Sequence, residues 1–224
     1  RHAPGAGRWH LVGTWSAAAM PLRTAVAEQT IRMIVRISVG GSGLRIRLSN
    51  AFGRRPVRFD SVYVGLREEG ARIVPGTNRR LTFGGRPAVR LAPGRTVWSD
   101  PLPGPVADRT ELVVSVHTPD RIDRVTGHRR AYQVNYLSLP GDYSADETPD
   151  AYVIERRSWY FLDRVAVTAP ATVGAVVAFG DSLTDGAGML LETDRRWPDH
   201  LFDRLRLLPG GPRAVVVTLG ADGA

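Results

Sequence analysis

Short runs of alternating apolar and polar residues, separated by glycine and proline, occupy the chain from about residue 11 to residue 167. Residues 31–39 are the clearest example, because every second side chain is apolar while Arg32 and Arg36 fall on the opposite side. A strand with one buried face produces such a period of two. The pattern returns in residues 44–48 after a glycine-rich turn. We therefore predict that the two runs form a hairpin with one buried face and one wet face.

Four further runs have the length and composition of strands, and turn-forming residues separate them. These runs are residues 57–66, 112–117, 132–137 and 159–167. No segment before residue 165 has a convincing helical period. Many short strands at this spacing predict a β-sandwich of the jelly-roll-like type.

The composition changes in a segment of small residues and proline at residues 168–172. We place a domain boundary there, which gives a β-rich sandwich domain at residues 1–170 and a second domain at residues 171–224. The second domain begins with an uncharged, valine-rich run at residues 175–179. Such a run is typical of a strand that is buried on both faces, as in a parallel sheet.

A helix and another strand are predicted after this run. The apolar side chains at helical spacing in residues 195–208 are Trp197, Leu201, Leu205 and Leu208. Pro198 is tolerated in the first turn of such a helix, and we expect Trp197 to lie in the core. Residues 214–219 have the composition of a second buried strand. The order strand, helix, strand predicts one βαβ unit of an α/β domain.

The formal net charge of the chain is +8, and all 30 basic residues are arginine. No basic run is longer than a pair, and no segment combines arginines with aromatic residues in the manner of an RNA-binding module. Solvated arginines on sheet faces and loops explain this distribution better than a site for a polyanion. We therefore predict no nucleic-acid partner.

The chain contains no cysteine, which excludes disulfides and cysteine-based zinc sites. We predict neither a metal nor a cofactor. No apolar run has the roughly 18 residues that a membrane-spanning helix requires, so we expect no membrane span. The first residue is Arg1 rather than methionine. A removed leader and a shortened polypeptide explain this start equally well, and on the first of these we expect a secreted protein.

A Gly-Asp-Ser turn follows the apolar run at residues 175–179 and places Ser182 where a helix should begin. Open α/β folds bind ligands at this carboxyl edge of the sheet. Gly180 permits a tight turn, and the backbone N–H groups at a helix start face any negative charge that develops there. Acyl transfer at a serine needs such donors. We interpret Asp181 as a cap for the neighbouring backbone rather than as a catalytic group.

Several segments together resemble one family of enzymes. They are residues 179–186, 196–199, 34–38, 45–53, 126–128 and 158–162. In these segments the chain resembles the GDSL, or SGNH, serine hydrolases, in the subgroup that carries a β-rich domain ahead of the catalytic one. The resemblance implies that the second domain is the start of a flavodoxin-like α/β hydrolase domain.

The resemblance also implies an activity, the hydrolysis of esters through an acyl-enzyme. Ser182 is then the nucleophile, and its backbone N–H donates to the oxyanion. Gly220 matches the glycine that supplies a second oxyanion donor, although Thr218 stands where the family usually has asparagine. The implied substrate is a small-molecule or carbohydrate ester, such as an acetylated carbohydrate or a short acyl ester. Gly223 matches the last glycine of the same block.

The family's later blocks, which supply an asparagine and an Asp-x-x-His pair, do not occur in the 42 residues after Ser182. His200 follows Ser182 but is predicted to flank the apolar stripe of the helix, away from the serine. His128 is interpreted as a strand-end or loop residue that could still reach the rim of the site. We therefore expect residues 1–224 to be the amino-terminal part of a longer esterase, inactive or weakly active without the C-terminal part of its own domain.

Two other functions stay open. The chain could be a non-catalytic, carbohydrate-binding β-sandwich module with a vestigial catalytic stub. The Gly-Asp-Ser turn could also bind phosphate in a nucleotide fold. Asp181 and Asp185 argue against the phosphate loop because they would repel the ligand, and no Walker-type sequence follows.

Overall fold

A computed structural model describes residues 8–208 and the backbone of residues 214–220. Nineteen strands and two short helices make up the regular structure of these residues. The strands within residues 8–170 are β1 (Trp9–Ser16), β2 (Met20–Leu22), β3 (Val26–Arg36), β4 (Gly41–Ser49), β5 (Val57–Phe59), β6 (Ser61–Glu69), β7 (Arg72–Ile73), β8 (Arg79–Arg80), β9 (Val89–Leu91), β10 (Thr96–Trp98), β11 (Leu102–Val106), β12 (Glu111–Ile122), β13 (Val125–His128), β14 (Asn135–Pro140), β15 (Ile154–Arg156), β16 (Trp159–Tyr160) and β17 (Leu162–Pro170). They are followed by β18 (Gly174–Gly180), α1 (Ser182–Asp185), α2 (Trp197–Leu205) and β19 (Ala214–Gly220).

The first seventeen strands form two main antiparallel sheets. One has the order β1-β17-β4-β10, with β11 also paired to β4, and the other has the order β15-β14-β3-β12-β6-β7, with β8 also paired to β6. Side chains of both sheets belong to one apolar core. A small sheet, β16-β13-β2, and the pair β5-β9 complete the domain. The predicted β-rich character is confirmed and is compatible with a sandwich, while the jelly-roll-like connectivity stays a prediction.

The predicted hairpin between residues 31–39 and 44–48 is wrong. β3 pairs with β12 and β14, whereas β4 pairs with β17, β10 and β11. The glycine-rich connection therefore carries the chain from one sheet to the other. The inner faces were predicted correctly, because Met33 of β3 and Ile46 of β4 both lie in the shared core with 0% exposure.

The outer face of β3 is not exposed to solvent. Arg32 has 0% exposure and Ile34 has 1%. Ile34 packs with Ile73 and Val113 in a second apolar cluster, beside Tyr136. The predicted alternation of the two faces along β3 is correct. Loops from distant parts of the chain cover the second face, however, so a polar residue on that face is not necessarily exposed to solvent.

The last part of the chain pairs two strands in parallel, with α1 and α2 between them. β18 runs beside β19 from Gly174 opposite Ala214 to Gly180 opposite Gly220. β1 of the first domain lies against β19. No helix in the described part of the chain is long and apolar enough to cross a membrane.

Two burial predictions for this part are wrong. β18 was expected to be buried on both faces, but Val177 is 56% and Phe179 is 82% exposed, and only Ala178 and the preceding Val173 reach the core. Among the described strands β18 pairs with β19 alone, so its faces lack the cover that a central strand would have. In α2 the fully buried residues are Pro198 and Phe202, whereas Leu201 and Leu205 of the predicted stripe are only partly buried against the core.

Trp197, which was expected in the core, is 47% exposed. Its indole Nε1 donates a hydrogen bond of 3.2 Å to Thr184 Oγ1. Trp197 therefore connects α2 with α1 at the surface, and Phe202, Leu201 and Leu205 supply apolar contacts of α2 with the core.

Candidate functional site

Ser182 is the first residue of α1 and directly follows the turn at the end of β18. Its side chain is partly exposed. Asp181 is the N-cap, and its Oδ1 accepts a hydrogen bond of 3.0 Å from Leu183 N. The interpretation of Asp181 as a cap is confirmed. The hydroxyl of Ser182 thus stands at a helix start, where backbone N–H groups have no partner within the helix.

The turn around Ser182 is tightly packed. A Cβ on Gly180 would lie 2.2 Å from Thr184 Oγ1, so only glycine fits there. Gly186 ends α1 with φ of 105°, in the left-handed region, and its N–H donates to the Ser182 carbonyl at 3.1 Å. Ala187 N donates to the same carbonyl at 2.7 Å. These contacts fix the backbone on both sides of the serine.

Gly220 lies at the same edge of the sheet as Ser182. It is the register partner of Gly180, two residues before the serine. The two residues that were predicted as oxyanion donors therefore share the carboxyl edge of the β18-β19 pair. Gly223 lies outside the described residues.

His128 makes a buried contact that sequence reasoning missed. Its Nε2 lies 2.9 Å and 2.8 Å from the two carboxylate oxygens of Asp185, the last residue of α1. The side chains are 1% and 6% exposed. The other ring nitrogen, Nδ1, lies 2.9 Å from the carbonyl of Ala18. His128 at the end of β13 therefore attaches the serine-bearing helix to that strand.

The hydrogen bonds of His128 determine whether its imidazole ring can act as a general base. The Ala18 carbonyl can only accept, so Nδ1 carries a proton. Nε2 is hydrogen-bonded to the Asp185 carboxylate. Both ring nitrogens are therefore occupied in hydrogen bonds within the fold, and neither is free to accept the proton of Ser182. The pair resembles two members of a catalytic triad but works as a structural contact.

Arg196, the N-cap residue of α2, also holds the end of α1 in place. Its Nε donates 2.9 Å to the backbone carbonyl of Asp185, and its Nη2 donates 2.6 Å to the carbonyl of Ala131. Arg196 also lies 3.4 Å from an Asp194 carboxylate oxygen. Arginine suits this position because its planar fork donates to several groups at once.

Asp199 lies near Arg196, and its carboxyl group has a pKa above the ordinary value. Burial raises the pKa of Asp199 to about 6, with the negative charge of Asp194 acting in the same direction and Arg196 opposing it. Its Oδ2 accepts a hydrogen bond of 2.9 Å from Arg196 N, which caps α2. The carboxyl is therefore about half protonated near pH 6. Its side chain is 36% exposed, so solvent screens part of this effect.

The other described histidines do not replace the missing base. His10 Nε2 lies 2.8 Å from the carbonyl of Val173, at the start of β18 and thus at the opposite end of that strand from Ser182. His117 Nδ1 lies 2.6 Å from Asp60 Oδ1. His200 is exposed on α2, as predicted, and shares a shallow cavity with Trp197 whose lining does not include Ser182. His2 lies outside the described residues.

One group within residues 8–208 has the side chains for a metal ion. The ligand atoms of Asp60, His117 and Asp142 lie within 4.8 Å of one another. Hydrogen bonds already explain this arrangement, because Asp60 engages His117 and Asp142 accepts from Ser144. Burial alone would raise the pKa of Asp142, but the hydrogen bonds from Ser144 outweigh it and hold this pKa below its usual range. The prediction of no metal and no cofactor stays a prediction.

No model of a known protein family matches this chain, and no curated protein matches it. The resemblance to the GDSL hydrolases therefore depends on the sequence segments named above.

Proposed function

We propose that this chain is the β-rich domain and the first part of the catalytic domain of an SGNH-type serine ester hydrolase. Ser182 is the nucleophile, and the backbone N–H groups of Ser182 and Gly220 bind the oxyanion. The observation that carries this proposal is the position of Ser182, which stands partly exposed at a helix start beside the register position of Gly220. The proposed substrate is a small-molecule or carbohydrate ester.

In this scheme Asp181, Asp185 and His128 have structural roles. Asp181 caps α1, and Asp185 is held by His128 and Arg196. Proton transfer from Ser182 therefore has no base among the described side chains. We propose that full activity requires an Asp-x-x-His pair supplied by a C-terminal part of the same domain, as the family resemblance implies.

Hydrolysis by residues 1–224 should be slow but should depend on Ser182. The oxyanion donors stabilise the transition state even when the base is lacking, so a rate above that of buffer remains. With p-nitrophenyl acetate as substrate, we expect Ser182→Ala to reduce this rate by at least about tenfold, which corresponds to ~1.4 kcal/mol of transition-state stabilisation. Ser42→Ala, a partly buried serine of β4, is the control and should leave the rate unchanged.

Two results would contradict the proposal. Ser182→Ala could retain the rate of the unaltered chain, in which case hydrolysis comes from another group. The unaltered chain could also show no rate above buffer, in which case the turn does not stabilise an oxyanion. Secretion of the protein stays a further prediction.

A further inference from the structure

The fold gathers arginines that are scattered in the sequence. A groove of about 1150 Å³ lies between the β2-β3 connection, the β4-β5 connection, β9 and the β12-β13 turn. Seven arginines and two aspartates line it, a net formal charge of +5. No run of basic residues marked this site, because its arginines come from four separate segments of the chain.

Most of this charge is not neutralised within the described part of the chain. Arg121 is paired with Asp123 at 3.0 Å, and Asp120 accepts from Arg58 N at 3.3 Å. The remaining arginines of the groove make no side-chain hydrogen bond or ion pair there and are all exposed. They are Arg23, Arg54, Arg55, Arg90, Arg124 and Arg129. Six like charges around one concavity repel one another, and a bound polyanion would relieve that repulsion.

The rest of the lining is aliphatic. Leu22, Val57 and Ile122 are buried and form an apolar floor, and two prolines lie beside them. No aromatic side chain lines the groove. Single-stranded nucleic acids are held mainly by stacking of their bases on aromatic rings, so the groove lacks that platform.

We propose that this groove binds a polysaccharide that carries carboxylate or sulfate groups. Guanidinium groups bind such oxyanions through paired N–H donors. The aliphatic floor suits the C–H faces of sugar rings. The volume exceeds the roughly 300–1,000 Å³ of ordinary small-molecule pockets, which favours a segment of a polymer over a single small anion. The proposal does not depend on Ser182 or on ester hydrolysis.

Binding should be measured by titration calorimetry of residues 1–224 with polygalacturonate, dextran sulfate and neutral dextran, at several salt concentrations. The charge-reversed variant Arg90→Glu with Arg124→Glu should bind the first two probes at least about tenfold more weakly, because two oxyanion contacts are lost. The control variant, Arg86→Glu with Arg164→Glu, makes the same change in net charge at exposed positions outside the groove. It should lose less than about threefold. Dextran should not bind.

The two anionic probes identify the group that is recognised. Tighter binding of polygalacturonate assigns carboxylate, and tighter binding of dextran sulfate, which carries no carboxylate, assigns sulfate; both results support the proposal. An equal loss in the two charge-reversed variants would overturn it, since binding would then follow net charge alone. Tighter binding of single-stranded or duplex DNA than of either polysaccharide would also overturn it and would assign the groove to nucleic acid.

Discussion

Replacing Arg32 by methionine should lower the free energy of unfolding by about 3–5 kcal/mol. Arg32 is fully buried and donates from Nε to Ser115 Oγ at 2.9 Å. Its Nη1 donates to the carbonyls of Ala71 at 2.8 Å and Thr148 at 3.2 Å, and its Nη2 donates to the carbonyl of Asp146. Methionine fills a similar volume but leaves these acceptors without donors.

The guanidinium is a costly group to bury, and its surroundings show how the cost is offset. Burial lowers the pKa of Arg32 below its ordinary value. The guanidinium also lies 3.8 Å from the centre of the Tyr152 ring, in cation–π contact. By holding the segment that contains Asp146 and Thr148, Arg32 closes the outer face of the sheet that contains β3.

Urea unfolding followed by tryptophan fluorescence measures this effect. Arg164→Met is the matched control, because Arg164 lies on strand β17 with its side chain exposed. It should change the unfolding free energy by less than about 0.5 kcal/mol. Equal effects of the two substitutions would show that the hydrogen bonds of Arg32 do not stabilise the fold.

Removing either partner of the His128–Asp185 pair should cost about 3 kcal/mol, because each substitution leaves the other polar group buried without its partner. The double variant His128→Ala with Asp185→Ala should cost much less than the sum of the two single variants. A coupling energy of about 2 kcal/mol is expected in the resulting cycle. The pair is only 1% and 6% exposed, so salt should reduce the coupling little.

Asp181→Ala is the control for this cycle. Asp181 is an exposed carboxylate on the same short helix, and its loss should cost about 1 kcal/mol as a removed N-cap. Additive effects of His128→Ala and Asp185→Ala would show that the two side chains do not stabilise the fold through their contact with each other. The readout is again urea unfolding, together with the rate of proteolysis in residues 187–194, which follow α1.

The inner faces of the strands could be predicted from the sequence because they depend only on local alternation. Met33 and Ile46 lie in the core for this reason. Partners of the strands could not be predicted, since β3 and β4 are adjacent in the chain but belong to different sheets. Burial of Arg32 was missed because its acceptors are contributed by residues 39 to 116 positions away.

In the candidate site, too, local features could be predicted from the sequence and contacts between distant residues could not. The position of Ser182 at a strand-to-helix turn was predicted from adjacent residues, and the structure describes that turn. The contact between His128 and Asp185 joins residues 57 positions apart. A Thr-Gly-His segment drew attention to His128, but nothing local indicated that both ring nitrogens would be used. The charged groove could not be predicted from the sequence either, because its arginines are brought together only by the fold.

We propose that this fold makes Ser182 a reactive acyl acceptor. The most direct measurement is the rate at which a fluorophosphonate modifies Ser182, followed by peptide mapping in the mass spectrometer, for residues 1–224 folded and in urea that unfolds them. We predict that folded Ser182 reacts at least about tenfold faster than unfolded Ser182, while Ser42 shows no such acceleration. Equal rates for Ser182 in the two states, or faster modification of another serine, would contradict the claim.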